Sequence, residues 1–218
     1  MVIEGAPTGE KVCFAVERRL NLHRVEFTTF QSAIKRFGYK VELNKNHLLA
    51  IAPQIKLDVN KMQEDKDSIY SIVYLDEEFA HQNDKFCVDK LILIGWLLCF
   101  HWSKEIQINE LWDIINPDFA AEVDKDVVVA FLEDLIYIAV SLCYKIVSVL
   151  PKTQEKEQAT AYLDRCQENY QIWKERAIKD IPEKVSKDEF ERHVDPFTRT
   201  YDIRIRLEDL KSHALEKQ

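Results

Sequence analysis

The sequence predicts an all-α fold, on three observations. Only 4 glycines and 6 prolines occur in 218 residues, too few for the many tight turns of a sandwich or barrel. Apolar residues recur at steps of three and four through most of the chain. Residues that cap helices stand at the ends of these segments: Ser103 and Ser186 at starts, Gly38 and Pro151 at stops. With 46% hydrophobic residues, a chain of this length can bury a sizeable core.

The elements follow in order. After a loose start through Gly9, a helix over 10–24 carries Phe14, Leu20 and Leu22. A second, capped by Thr28 or Thr29, runs through Phe30, Ile34 and Phe37 to Gly38. "ELNKNHLLAIAPQIKLD" puts Leu48, Ala52 and Ile55 on one helical face, with Pro53 at a kink or early turn. The polar stretch "VNKMQEDKDS" reads as a loop. "IYSIVYLDEEF" reads as a short extended run turning helical near Asp76. Ser103 caps a helix with Ile106, Leu111, Trp112 and Ile115, ended by "NPD".

A long helix from about 124 to 150 bears one polar strip: Asp134, Tyr137, Ser141, Lys145 and Ser148. Past Pro151, "KTQEKEQ" is a linker or a charged first turn, and 159–178 is the cleanest amphipathic helix in the chain. Ser186 and Glu189 have the spacing of a capping box. In the tail, "YDIRIRLEDL" alternates like a strand yet also suits a helix, and helix is favoured.

The composition narrows the function. A net charge of −8 and a pI near 5.4 argue against a nucleic-acid binder, which needs clustered Lys and Arg. Cys13, Cys87, Cys99, Cys143 and Cys166 show no CxxC pair and read as reduced thiols of a cytosolic protein. The opening "MVIEGAPTGEKVCF" is not a secretory signal. "LILIGWLLCFHW" is about half the ~20 residues of a membrane span. The apolar stretch 127–150 is long enough but carries Glu133, Asp134 and Lys145, which favours a core helix over a span.

A resemblance adds to this reading. "VEFTTFQSAIKRFGYKVELNKNHLLAIAPQIKLDV" resembles the part of calmodulin-like EF-hand proteins that leads from one loop through a glycine-closed helix into the next hand. "KVSKDEFERHV" is similar to the end of another loop with its exiting helix. "DKLILIGWLLCFHWSKEIQINELWDIINPDFAAEVDKDVVVAFLEDLIYI" is similar to the centre of the calcineurin B and neuronal calcium sensor group. The resemblance implies EF-hand-like helix pairs in two lobes, with short β-bridges between paired loops. Residues 1–9 would be a flexible N-terminus, 10–102 one lobe, 103–195 the other and 196–218 a tail helix.

A calcium loop of twelve residues needs oxygen ligands at its first, third and fifth positions, a glycine at the sixth and a bidentate Glu at the twelfth. Arg18–Thr29 offers Arg18, Leu20 and Leu22 as ligands and Thr29 at the end. Asp67–Glu78 keeps its end carboxylates and Ser71 but has Ile69 third and Ile72 sixth, while a start at Asp58 keeps Asn60 and ends on Ile69. Asn116–Val127 supplies Asn116 and Asp118, then Ala120, Ala121 and Val127. Ile178–Glu189 keeps Asp180 and Glu189 with Pro182 and Glu183 between. No metal or cofactor is expected, and only the 58–78 region could serve a residual weak sensor.

Catalytic constellations are sparse. His23, His47, His81, His101, His193 and His213 show no metal-binding spacing. Cys99 with His101, or Glu133 with Asp134, would be the groups of a small enzyme, although residues two apart on a helix point away from each other. The aromatic set Trp96, Phe100, Trp102, Trp112 and Phe131, with Ile138, is the candidate lining of a groove for an amphipathic partner helix, or else a well-filled core. The expectation is a calcium-independent adaptor or structural protein, not an enzyme. Degenerate EF-hand proteins occur as fixed parts of cilia and flagella, so the resemblance suggests a cytoplasmic setting, cytoskeletal or axonemal.

Overall fold

The structure, a computed structural model, describes residues 5–38, 43–78, 80–81 and 85–215, and it is mostly helical. Helix α1 (Thr8–Glu17) passes through two 3₁₀ turns, Arg18–Leu20 and Leu22–Arg24, into α2 (Phe27–Gly38). β1 (Leu43–Asn44) leads to α3 (Lys45–Ile51), followed by the short helices α4 (Val59–Glu64) and α5 (Ile69–Tyr74). β2 (Ala80–His81) and β3 (Lys85–Phe86) precede α6 (Val88–Leu98) and α7 (Lys104–Ile115). β4 (Glu122–Asp124) then opens one continuous helix over Lys125–Ser148: α8 (Lys125–Ile136), a π turn (Tyr137–Leu142) and α9 (Cys143–Ser148). The chain closes with α10 (Gln154–Ala177), β5 (Lys184–Ser186), α11 (Lys187–Val194) and α12 (Thr200–Leu215).

Local chemistry sets most of these boundaries. Ser103 Oγ accepts the Ile106 amide at 3.2 Å to open α7, and Thr153 Oγ1 accepts the Lys156 amide at 3.2 Å to open α10. "KTQEKEQ" is therefore a charged first turn. The Ser186–Glu189 capping box forms at α11, each side chain accepting the other residue's amide. The ambiguous tail is helix α12.

Several expectations need correction. The 10–24 helix breaks after Glu17, because Asn21 takes a left-handed conformation with φ 60°. Helix α2 begins at Phe27, so Thr28 and Thr29 lie inside it. "VNKMQEDKDS" is not all loop: Asp58 Oδ1 accepts the Lys61 amide at 3.1 Å and starts α4. "IYSIVY" is helix and not strand, since Ser68 Oγ accepts the Ser71 amide at 3.1 Å and caps α5. A six-residue apolar run has no decisive period, and the cap decides.

Small antiparallel ladders join the segments that precede helices. β4 and β5 pair Glu122 with Ser186, Val123 with Val185 and Asp124 with Lys184. In the first half β3 pairs with both β1 and β2, Leu43 standing opposite Phe86. Val25 bonds instead to Phe100, the Phe100 amide donating to the Val25 carbonyl at 2.8 Å.

One connected core runs from Cys13 to Leu207. α1 and α12 both lie along α10, close to the 125–148 helix. At Gly9 a Cβ would fall 2.7 Å from the Gln158 carbonyl oxygen and against Tyr162, which shows how closely α1 meets α10. The first helix thus packs with the last ones, across the 102/103 boundary, and α12 buries Ile203, Arg204 and Leu207 in that core. The 125–148 helix is long and apolar enough to cross a membrane by length and composition, and here much of it is buried among these helices.

Candidate functional site

The site forms where α6 runs out. Cys99 is extended, and the next residue is pinned on both sides: Phe100 N–H donates to the Val25 carbonyl at 2.8 Å, and its carbonyl accepts the Phe27 amide at 3.0 Å. Trp102 Nε1 donates to Glu26 Oε1 at 2.8 Å, and its ring meets Phe100 edge to face at 5.2 Å. Despite these ties Trp102 is 71% exposed and Phe100 45%. Two large aromatic faces are held in one arrangement and left in water.

The pair stands beside a groove of about 680 Å³ walled also by Phe14, Arg18, Leu98, Arg199 and Tyr201. His23 lines it as well, its imidazole pKa pushed down by burial first and then by Arg18 and Arg24.

Of the six residues expected to line a partner groove, only Phe100 and Trp102 do. Trp96 is fully buried, its Nε1 donating to the Gln107 carbonyl at 2.9 Å. Trp112 and Phe131 pack on Phe190, with ring centroids 5.4 and 5.9 Å away, and Ile138 is buried in the long helix. These four are core residues: α6, in contact with α2, α7 and α8, buries an unbroken run from Leu91 to Leu97 that includes Trp96, and Trp112, Phe131 and Ile138 are buried on α7 and the 125–148 helix. The other wall residues escaped the sequence reading. Phe14 and Arg18 come from one end of the chain, Arg199 and Tyr201 from the other and Leu98 from the middle, and no local spacing joins them.

The four candidate ion loops do not fit a calcium ion. In Arg18–Thr29, Leu20, Leu22 and Val25 are buried and fill the space with hydrocarbon. In Asp67–Glu78 the middle is helix α5, and Asp76 serves Tyr137 and Lys145 at 2.8 and 2.7 Å. Starting at Asp58 meets helix α4 instead. In Asn116–Val127 the Asn116 amide closes on the chain itself, Oδ1 accepting the Ala120 amide at 2.9 Å and Nδ2 donating to the Ala120 carbonyl at 2.8 Å. In Ile178–Glu189 the end carboxylate is spent on Ser186, whose amide and hydroxyl both donate to Glu189 Oε2 at 2.8 Å. Those bonds hold the Glu189 carboxyl below its usual range. Among the described residues no group of three or more His, Cys, Asp or Glu is placed to hold a metal ion.

Cys99 and His101 are not paired with each other, while Glu133 and Asp134 line one cavity with Glu78, Tyr137 and Tyr170 but each is held by a lysine. His101 turns Nδ1 to Glu110 Oε2 at 3.0 Å and Nε2 to the Trp96 carbonyl at 2.7 Å, which leaves neither nitrogen for Cys99. Burial pushes the Cys99 thiol far above its ordinary range, the opposite of an activated nucleophile. Glu133 pairs with Lys174 at 2.6 Å and Asp134 with Lys90 at 3.3 Å.

One buried constellation was not foreseen. Arg204 is fully buried and donates to both oxygens of Glu10 at 2.7 Å, to Glu17 at 2.6 and 3.1 Å, and to the Ala139 carbonyl at 2.8 Å. The Ala139 carbonyl, which lies within the π turn, accepts from this guanidinium, and the Cys143 amide at the end of the turn donates to the Val140 carbonyl. In sequence Arg204 is one charge among several in "DIRIRLEDL", and nothing there marks it as internal.

Comparison with family models, curated proteins and solved structures gave no match. The site is therefore defined by its geometry: an aromatic-edged groove on a helical protein.

Proposed function

We propose that this protein is a calcium-independent adaptor or structural protein of EF-hand ancestry, which holds an amphipathic helix of a partner protein in the groove beside Phe100 and Trp102. The observation that carries the reading is that Trp102 is 71% exposed although its ring and indole N–H are both held by neighbours. Exposed tryptophan and phenylalanine in a fixed arrangement suit the anchor positions of a helix-in-groove complex. The ancestry is supported by the pairing of Val123 with Val185, each at the eighth place of its candidate loop and each just ahead of a helix. With the loops closed by the chain's own atoms, calcium has no differential hold on two conformations and cannot switch binding. A cytoplasmic role, in a cytoskeletal or axonemal assembly, accords with the resemblance.

The test is affinity purification of the tagged full chain with mass spectrometry, in calcium or in chelator, alongside Phe100→Ala/Trp102→Ala. The same partners are expected under both conditions, and their recovery should fall at least about 30-fold with the double variant, for a loss of about 2 kcal/mol or more. Partners that appear only with calcium, or that ignore the double variant, would overturn the proposal.

A further inference from the structure

We infer that the segment this groove receives is an amphipathic helix with an acidic polar flank, read by Arg18 and Arg199; the inference rests on the groove reading above. Both guanidiniums line the groove, and neither makes an ion pair among the described residues. Arg18 lies over the Phe14 ring at 5.5 Å from its centroid, and Arg199 over Tyr201 at 5.9 Å. An arginine stacked on an aromatic ring is already oriented, and its N–H edge can take a carboxylate through two parallel bonds.

The carboxylates around the groove have other partners. Glu17 accepts from Arg204 and Thr200, Glu26 from Trp102, and Asp202 from Thr198 at 3.3 Å, though Asp202 also feels Arg199 and Lys104 at longer range. Lys104 is paired with Asp195 at 2.6 Å. On a chain of net charge −8, the groove thus keeps two guanidiniums that make no ion pair among the described residues, with Asp202 a groove carboxylate that feels Arg199. A basic helix would be repelled there, and an acidic one would meet both arginines.

The experiment uses two labelled helical peptides of about 18 residues, identical on their Leu and Phe face, one with glutamates and one with lysines along the polar flank. Each is titrated by fluorescence anisotropy against the full chain, Arg18→Glu/Arg199→Glu, Arg18→Gln/Arg199→Gln and Phe100→Ala/Trp102→Ala, with circular dichroism confirming that each variant is folded. The acidic peptide should bind at least about tenfold tighter, its advantage shrinking as salt is raised. The glutamine pair should remove the preference and the glutamate pair reverse it. Equal binding of both peptides, or preference for the basic one, with loss in the Phe100/Trp102 variant, would overturn the acidic assignment and leave the groove standing. Binding of neither peptide, or binding indifferent to Phe100 and Trp102, would overturn both.

Discussion

At the scale of the residue, Arg204 is a fully buried charge. A buried guanidinium is tolerable only with all five N–H groups accepted, and Glu10, Glu17 and the Ala139 carbonyl accept them. Arg204→Met would leave two carboxylates buried without a counter-charge, and urea unfolding should show a loss of about 3–5 kcal/mol. Replacing Glu10, Glu17 and Arg204 together by apolar residues of similar size should recover most of that loss. A cost below about 1 kcal/mol for Arg204→Met would show that the network is no more than a surface pair. This site was not legible in the sequence, although part of its pattern is there. Glu10, Cys13 and Glu17 fall three and four apart, so they share a helix face. Their partner stands 187 residues beyond Glu17, and acidic residues on a helix otherwise read as a solvated face.

At the scale of the element, the polar strip of the 125–148 helix was legible from spacing alone, and Asp134, Tyr137, Lys145 and Ser148 in it have partners. Asp134 takes Lys90, while Tyr137 and Lys145 meet Asp76 at 2.8 and 2.7 Å and each other at 2.9 Å. Burial first, and then the bond to Asp76, push the Tyr137 hydroxyl up to about 12, against opposition from Lys145. A pKa raised in the folded state means that the folded protein holds its proton more tightly than the unfolded chain does. The contribution is therefore complete below pH 10, the ordinary tyrosine value, and is lost as pH rises through about 12. Urea midpoints measured across that window should fall more steeply for the wild type than for Tyr137→Phe, and equal slopes would count against the network. Helices α4 and α5 were not legible as helices, because six residues are too few to establish a period. Asp58 and Ser68 were the caps to have weighed.

At the scale of the whole molecule, the helical class followed from scarce glycine and proline and from the repeat of apolar positions. The packing of α1 against α10 and α12 did not, since it depends on contacts between the two ends of the chain. The same holds for the groove, whose walls draw on Phe14 and Arg18, the 97–104 turn and Arg199 with Tyr201. The proposed calcium independence rests on the way each of the four candidate ion loops is filled by its own atoms: leucines in the first, helix α5 in the second, Asn116 on Ala120 in the third and Glu189 on Ser186 in the fourth. The most direct measurement of that claim is calorimetric titration of the full chain with calcium chloride at neutral pH. Heats of dilution alone are predicted, whereas a saturable isotherm for one or more ions, tighter than about 10⁻⁴ M, would contradict it.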